Sequence, residues 1–179
     1  MSAERTLVLG GARSGKSALA ERLAAESGLE VVYVATAQAF DAEMAERIAR
    51  HQTERPTHWR TVEAPLALPE AIGANSAAHR LVLIDCLTLW LSNLMLAEED
   101  AEEDPDAAGA TLIEALTAAE GPVICVSNEV GLGIVPENAL ARRFRDAQGR
   151  LNRQVAEIAD RVLFIAAGLP LELKPGRTL

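Results

Sequence analysis

Residues 6–17 decide the fold, and they read Thr6-Leu7-Val8-Leu9-Gly10-Gly11-Ala12-Arg13-Ser14-Gly15-Lys16-Ser17. The apolar run over residues 6–10 predicts a buried strand. Residues 17–27, rich in Ala, Leu, Glu and Arg and followed by Gly28, predict a helix with a glycine at its C-terminal end. Between the two lies the pattern G-x-x-x-x-G-K-[ST], whose glycines let backbone N–H groups turn onto phosphate oxygens. The sequence therefore predicts a phosphate-binding loop between the first strand and the first helix.

Every residue of this loop is a candidate phosphate contact: Gly10, Gly11, Ala12, Arg13, Ser14, Gly15, Lys16 and Ser17. The ammonium of Lys16 can reach the β- and γ-phosphates of a nucleotide, and the Ser17 hydroxyl can bind Mg²⁺. The N-terminus of the following helix adds a dipole that favours negative charge. The 17 basic residues of the chain are 15 arginines and two lysines, Lys16 and Lys174, so one of only two lysines lies in this loop.

A second candidate for the metal lies at the end of another apolar run, residues 80–85. A carboxylate at the end of a hydrophobic strand is the usual protein partner of Mg²⁺ in a triphosphate site, and this run ends at Asp85. We predict that Asp85 lies on the metal side of the phosphates. The alternative is an ordinary aspartate that caps the helix after the strand.

Apolar runs alternate with helical patterns along the whole chain. The runs are continuous rather than alternating, as in parallel strands buried on both faces, and they cover residues 6–10, 31–36, 80–85, 122–127 and 161–166. Helices are predicted over residues 17–27, 41–55 and 138–160. Asp41 would cap the second, with Met44, Ile48 and His51 on one face, and the third would turn Leu140, Phe144, Leu151, Val155 and Ile158 inward.

This order predicts a single α/β domain over residues 1–179 with the P-loop NTPase-like fold. Its mostly parallel sheet would be doubly wound and flanked by helices, with ligands beyond the carboxyl ends of the strands. The 179 residues, 49% of them hydrophobic, suffice for one core.

The formal charge of −9 argues against a protein that binds nucleic acid through a broad cationic surface. Seven of the carboxylates lie in a short stretch without a basic residue: Glu98, Glu99, Asp100, Glu102, Glu103, Asp104 and Asp106. Subtracting their −7 from −9 leaves −2 for the rest of the chain. We interpret this stretch as a solvated loop, with Pro105 and Asp106 starting the next helix.

Composition also bears on where the protein works. No stretch approaches the roughly 20 apolar residues that a membrane span needs, and because the first strand begins almost at once, we expect a soluble protein without a cleavable leader. Cys86 and Cys125 both lie in apolar runs and are predicted to be buried thiols in a reducing cytoplasm.

A glycine-rich phosphate loop alone does not identify the reaction. A guanine-reading switch would carry an Asn-Lys-x-Asp motif, whereas the segment after the fourth predicted strand reads Asn128-Glu129-Val130-Gly131. A motor would need a larger chain. Composition and motifs therefore favour a small-molecule phosphotransferase.

Two further segments are more selective than the phosphate loop. Residues 47–56 read RIARHQTERP and are followed by HWRTVE over residues 58–63. Residues 128–138 read NEVGLGIVPEN and continue to Arg142, Phe144, Arg145, Asp146, Gly149, Arg150 and Asn152. With the loop at residues 10–17 and Val34-Ala35-Thr36-Ala37, the chain resembles, over nearly its full length, the bifunctional adenosylcobinamide kinase/adenosylcobinamide-phosphate guanylyltransferases of cobalamin biosynthesis.

The resemblance implies two reactions at one nucleotide site. In the first, ATP or GTP phosphorylates the aminopropanol hydroxyl of adenosylcobinamide. In the second, GTP gives GMP to an enzyme histidine, which passes it to adenosylcobinamide phosphate. The resemblance also implies a homotrimer.

The histidine of that family motif falls on His51. Spacing alone would favour a packing role for His51 beside Ile48, and His58 is the nearest competitor, while His79 is expected in an exposed loop. Further family positions around the guanine nucleotide fall on Thr36, Ala37, Gln38, Gln52 and Glu63.

Two alternatives to the bifunctional enzyme stay open at the level of sequence. One is a P-loop kinase with a single activity on another alcohol, and the other is a GTP-binding regulatory module without an acceptor.

The last predicted helix also carries a cationic face, which could hold phosphates or form a subunit interface. Its arginines are Arg142, Arg143, Arg145, Arg150 and Arg153.

Overall fold

The computed structural model describes residues 4–39, 46, 53, 55–97 and 104–176. The strands are β1 (Arg5–Gly10), β2 (Glu30–Ala35), β3 (Arg60–Glu63), β4 (Arg80–Asp85), β5 (Val123–Asn128), β6 (Arg161–Ala166) and β7 (Leu169–Lys174). The helices are α1 (Lys16–Glu26), α2 (Leu68–Asn75), α3 (Leu87–Ala97), α4 (Pro105–Ala118) and α5 (Ala139–Ile158).

The described strands form one sheet in the order β3-β2-β4-β5-β1-β6-β7. Six run parallel, and only β7 is antiparallel, paired to β6. The predicted α/β fold with a mostly parallel sheet flanked by helices is confirmed. All five predicted apolar runs are strands, with bounds that differ by one residue at most. Since β1 lies between β5 and β6, the phosphate loop leaves the sheet near its centre.

Both faces of the sheet are buried, as the continuous apolar runs predict. Alternate residues of each strand point to opposite faces, so in β1 Leu7 joins the larger core beneath α2–α5, whereas Val8 joins the smaller core beneath α1. Both side chains are fully buried. The two cores hold the carboxyl ends of β1, β4 and β5 together, and the candidate site is built on those ends.

The edge strand β7 does not follow from an apolar run. All six of its residues are exposed, and Leu169, Leu171 and Leu173 alternate with polar residues or proline. A two-residue turn joins β6 to β7, and both of its residues have positive φ, 51° at Ala167 and 80° at Gly168. Such a turn matches the twist of a β-hairpin, so the chain reverses here instead of crossing over.

Helix ends lie close to their predicted positions. Gly28, just after α1, has φ 68°, in the left-handed region that favours glycine. The Asp104 carboxylate accepts a hydrogen bond from Asp106 N and caps α4, whose first residue is Pro105 as predicted. The Asn138 side chain accepts one from Ala141 N and caps α5. The helix expected at residues 41–55 and the acidic loop at 98–103 lie almost wholly outside the described residues.

The prediction from the sequence is wrong for one residue of α5. Leu140 was expected to turn inward but is 44% exposed, because the buried residues of this helix begin only at Ala147 and its first turn extends past the packed core. Leu151 and Val155 are buried as predicted. In the part of the chain that the structure describes, no helix has both the length and the apolarity to cross a bilayer.

Candidate active site

The phosphate loop lies where the sequence predicts it, between the last residue of β1 and the first of α1. Gly15 has φ 95° and Arg13 has φ 55°, so two residues of the loop adopt left-handed backbone conformations. A Cβ on Gly10 would lie 2.5 Å from Ser14 Oγ and 2.7 Å from the carbonyl oxygen of Ile165. A side chain at position 10 would therefore force the loop off the sheet.

Lys16 lies across the mouth of this loop. Its Nζ donates a hydrogen bond of 3.1 Å to the carbonyl oxygen of Gly11, five residues earlier. Lys16 and Ser17 are the first two residues of α1, so the ammonium and the hydroxyl leave the helix at its positive N-terminal end. This arrangement suits a bound phosphate chain.

The hairpin turn between β6 and β7 supports the loop from the other side. The backbone N of Gly168 donates a hydrogen bond of 2.9 Å to the carbonyl oxygen of Ser14. A Cβ on Gly15 would lie 3.4 Å from the Cα of Gly168, so the two backbones are in close contact. A strand that the sequence did not predict thus helps to hold the phosphate loop.

Asp85 ends β4, two strands away from the phosphate loop. Its Oδ2 accepts a hydrogen bond of 2.9 Å from the phenol of Tyr33 on β2. Burial and the negative charge of Asp85 raise the pKa of Tyr33 far above its usual value, and the nearby Arg55 cation opposes that shift. The phenol therefore keeps its proton and acts as the donor to the carboxylate.

Thr36 holds the turn that follows Asp85. Its hydroxyl donates to the carbonyl oxygen of Cys86 at 2.7 Å and accepts from the Cys86 backbone N at 2.8 Å. Asn93 of α3 in turn donates to the carbonyl oxygen of Thr36 at 2.8 Å. The Asp85–Cys86 peptide bond is cis. Burial, aided by the charge of Asp85 and opposed by that of Lys16, raises the pKa of the Cys86 thiol to about 11.

A buried polar network lies beneath the end of β5, the strand between β1 and β4. Gln148 Nε2 donates to Ser127 Oγ at 3.0 Å and to Asn152 Oδ1 at 2.9 Å, and Ser127 donates to the same Asn152 oxygen at 2.7 Å. Asn152 donates to the carbonyl oxygen of Asn128, which pairs with Gly10 in the sheet. The network ties α5 to the strand beside the phosphate loop.

The remaining predicted residues are placed as follows. Glu63 is exposed at the carboxyl end of β3, opposite Ala35 of β2. Ala37 and Gln38 are half-buried in the segment after β2, while the Thr36 hydroxyl is engaged with Cys86. His51 and Gln52 lie outside the described residues.

The other two histidines are surface residues. His58 is exposed before β3, and the His79 side chain, 69% exposed, lies 3.7 Å from Glu30. Neither lies among the residues that hold the phosphate loop.

Carboxylates partly neutralise the cationic face of α5. Arg145 pairs with Asp146 at 3.0 Å, and Arg150 pairs with Asp106 of α4 at 2.8 Å. Arg153 lies 3.7 Å from Glu157. Arg142 donates to the carbonyl oxygens of Pro136 and Glu137 in the loop before the helix. Arg150 thus ties α5 to α4, and Arg142 ties it to the preceding loop, whereas Arg145 and Arg153 pair within the helix itself.

The donor set fits a magnesium ion bound mainly through its nucleotide. Mg²⁺ usually takes one or two carboxylates together with waters and substrate phosphates. Asp85 keeps Oδ1 free of the Tyr33 hydrogen bond, and Ser17 supplies a hydroxyl on α1. Over the described ranges, no group of three or more His, Cys, Asp or Glu side chains is placed to hold a metal.

Sequence reasoning did not foresee three contributors to this site: the phenol of Tyr33, the guanidinium of Arg55 above its ring, and the turn residue Gly168. Tyr33 lies in an apolar run, which predicts only a buried strand. Arg55 belongs to a motif segment that assigns it no contact. No local pattern marks these residues, because each acts on a residue from a distant part of the chain.

Comparison with known proteins decides the family. The family model described as cobinamide kinase / cobinamide phosphate guanyltransferase matches residues 6–173. The chain belongs to this family. Membership makes it an enzyme with both kinase and nucleotidyltransferase character, as the resemblance implied.

Curated relatives from three bacteria match over nearly their full length. The bifunctional adenosylcobalamin biosynthesis protein CobP of Pseudomonas aeruginosa is 54% identical, over 95% of this chain and 97% of its own. Proteins named CobU from Escherichia coli and Salmonella typhimurium are each 43% identical, over 94% of this chain and 98% of theirs.

A solved structure extends the likeness beyond the family. The RadB recombinase superposes with a TM-score of 0.52 at 19% identity, over 90% of this chain and 73% of that one. At this identity the similarity concerns the fold alone, and it agrees with a P-loop NTPase-like sheet.

Proposed function

We propose that the protein phosphorylates adenosylcobinamide with ATP or GTP and then transfers GMP from GTP to adenosylcobinamide phosphate, giving adenosylcobinamide-GDP. The observation that carries this proposal is the family match over residues 6–173, together with a phosphate loop whose geometry suits a triphosphate. Nucleotide contacts are assigned to residues 10–17, Thr36, Ala37, Gln38, Gln52, Glu63 and Asp85.

The kinase step needs mainly positioning and charge neutralisation. The acceptor hydroxyl attacks the γ-phosphorus, the bond to the β-phosphate oxygen breaks, and the nucleoside diphosphate leaves. Lys16 and the loop N–H groups offset the charge on the transferred phosphoryl group. Mg²⁺, when bound through Ser17 and Asp85, would neutralise the same oxygens.

The guanylyl step needs a nucleophile at the α-phosphorus. We assign this role to His51, whose neutral imidazole is a competent nucleophile near pH 7. Attack forms an N–P bond to GMP and releases pyrophosphate. A phosphate oxygen of adenosylcobinamide phosphate then attacks the same phosphorus and frees the imidazole. A covalent adduct thus divides one transfer into two displacements.

We also propose a compartment and an oligomeric state for the enzyme. Two free, buried thiols suit a reducing cytoplasm. We propose a homotrimer there, and the exposed leucines of β7 are apolar surface that such an assembly could cover. Sedimentation measures the mass directly, and a monomer at micromolar concentration would contradict the assembly.

Labelling with α-³²P GTP and Mg²⁺ tests the histidine step. The wild type should retain an acid-labile, base-stable label, and His51→Ala should retain none. His58→Ala is the matched control, because it removes the other histidine near this segment and should label normally. Equal labelling of His51→Ala and wild type would show that another group is the nucleophile.

A second assay separates the bifunctional enzyme from the two alternatives. ADP or GDP release is followed with adenosylcobinamide and with simpler alcohols as acceptors. Turnover on adenosylcobinamide supports the proposal. Turnover only on other alcohols would indicate a kinase with a single activity, and GTP binding without transfer to any acceptor would indicate a regulatory module.

A further inference from the structure

Asn128 ends β5, the strand at the middle of the described sheet. β5 lies between β1, which leads into the phosphate loop, and β4, which ends at Asp85. Asn128 pairs with Gly10, the first residue of the loop, and the N–H of Glu129 donates to the Gly10 carbonyl oxygen at 3.1 Å. Asn128 therefore lies between the strand ends that carry the predicted phosphate contacts and the predicted metal ligand.

The Asn128 side chain lies on the face of the sheet that carries the phosphate loop and α1. Side chains alternate along a strand, and the preceding Ser127 lies on the other face, where it bonds Asn152 of α5. Both polar groups of the Asn128 backbone are engaged. The N–H donates to Thr88 Oγ1 at 2.7 Å, and the carbonyl oxygen accepts from Asn152 Nδ2 at 3.0 Å. These bonds fix the point from which the side chain leaves the strand.

The amide oxygen of Asn128 has no hydrogen-bond donor. Solvent does not reach Oδ1, and within the described ranges no group donates to it, although buried polar atoms are normally satisfied. The residue as a whole is half-buried, and its terminal amide can turn about its last bond. The oxygen can thus meet a ligand that arrives at the strand ends, and an unpaired acceptor calls for a ligand that carries a donor.

We propose that Asn128 Oδ1 accepts a hydrogen bond from the acceptor hydroxyl in the kinase step. The inference deepens the proposed function, on which it rests, because that function supplies an alcohol substrate. Among the groups that meet where the phosphoryl group is transferred, the phosphate oxygens are acceptors and cannot satisfy Oδ1. The hydroxyl is both a donor and the nucleophile.

The contact orients the hydroxyl oxygen toward the γ-phosphorus. The new O–P bond forms as the bond to the β-phosphate oxygen breaks, and the nucleoside diphosphate leaves with that electron pair. A neutral amide is not a base, so the hydroxyl proton leaves on the transferred phosphoryl group. Asn128 acts by holding the nucleophile in position. The guanylyl step brings no such hydroxyl, because GMP passes to a histidine and then to a phosphate oxygen.

Kinetics of both steps test the assignment in the full-length protein. Asn128→Ala should lower kcat/KM for phosphorylation of adenosylcobinamide about ten- to a hundredfold and leave the label from α-³²P GTP at the wild-type level. Asn128→Ser keeps an acceptor oxygen on a shorter side chain and should retain more kinase activity. Asn138→Asp is the matched control, because it changes an exposed asparagine, keeps the acceptor that caps α5 and should leave both steps unchanged.

Acceptor binding gives a second measurement. An analogue of adenosylcobinamide made with propylamine in place of aminopropanol lacks the hydroxyl. With a non-hydrolysable nucleotide bound, the wild type should bind adenosylcobinamide more tightly than the analogue in a calorimetric titration, and this difference should vanish in Asn128→Ala. A difference that persists in Asn128→Ala would overturn the proposal, as would kinase kinetics equal to those of the wild type.

Failure of this proposal can be told apart from failure of the proposed function. A wild type that phosphorylates adenosylcobinamide, with Asn128→Ala unimpaired, would refute the contact and leave the proposed function intact. A wild type that phosphorylates no alcohol would refute both. Equal losses of kinase activity and GTP labelling in Asn128→Ala would show that the side chain only supports the phosphate loop. If Asn128→Ala does not fold, Asn128→Ser carries both measurements.

Discussion

The Thr36 hydroxyl bonds both polar groups of the Cys86 backbone, donating to the carbonyl oxygen at 2.7 Å and accepting from the N–H at 2.8 Å. Both residues are buried, and they are 50 positions apart in the chain. This single side chain fixes the backbone just after Asp85.

Thr36→Val should therefore cost stability and disturb the site. The valine has the same shape but leaves the Cys86 N–H buried without an acceptor, a cost of about 1–3 kcal/mol. Thr36→Ser keeps the hydroxyl and should lose less. Urea unfolding followed by circular dichroism gives the difference, and equal midpoints for the two variants would refute the hydroxyl's role.

The phosphate loop offers a matched pair of glycines. Gly10→Ala should destabilise the protein by about 1–3 kcal/mol and weaken GTP binding, since its Cβ would collide with Ser14 and with a carbonyl oxygen of β6. A Cβ on Gly11 would meet no atom within 4 Å, so Gly11→Ala should unfold near the wild-type temperature. Differential scanning calorimetry compares them, and similar losses in both would contradict the steric argument.

Stability should fall in alkali because of the buried thiols. Burial raises the pKa of Cys125 to about 12, from an ordinary 9.0. The folded protein then holds this proton at pH values where the unfolded chain has released it, so stability is full below about pH 9 and declines as pH rises. Between pH 8 and pH 10 we expect a loss of about 1 kcal/mol from this thiol.

Cys125→Ala tests the origin of that loss. The variant should be less stable than wild type at pH 8, because it creates a cavity, but its decline to pH 10 should be smaller by about 1 kcal/mol. Urea midpoints at the two pH values give both quantities. An identical decline in the two proteins would assign the alkaline sensitivity elsewhere.

The buried hydrogen bonds of Gln148 on α5 should contribute more to stability than the exposed arginine pairs of the same helix. Gln148→Ala removes a fully buried donor that serves Ser127 and Asn152, and should cost about 1–3 kcal/mol. Arg153→Ala breaks only an exposed pair on the same helix and should change stability by less than about 1 kcal/mol. Chemical denaturation of both variants measures the two losses of stability, and equal losses would contradict the predicted ranking.

The sequence predicted most of the fold because its signals are local. Continuous Val, Leu and Ile runs marked the five buried parallel strands, and the glycine-rich pattern marked the loop after β1. β7 escaped notice because its leucines are exposed at the sheet edge and alternate with other residues. Leu140 was misplaced because apolar spacing does not reveal where a helix leaves the core.

Within the candidate site, the sequence predicts only the residues that a motif contains. Lys16, Ser17 and Asp85 are predicted from residues next to them in the chain, and their nucleotide and metal contacts stay predictions. The contact of Tyr33 with Asp85 spans 52 positions and exists because β2 and β4 are neighbours in the sheet. Arg55 joins them through the ring of Tyr33. Such relationships depend on strand order, which hydrophobic runs do not encode.

The hydrogen bond from Gly168 to Ser14 gives the C-terminal hairpin an unexpected importance. The strand β7 is exposed along its whole length, so its removal would not be expected to damage the core. Shortening the protein before residue 168 would remove the donor that braces the loop. Affinity tags and truncations at this end therefore belong in nucleotide-binding controls, since they alter one side of the candidate phosphate site.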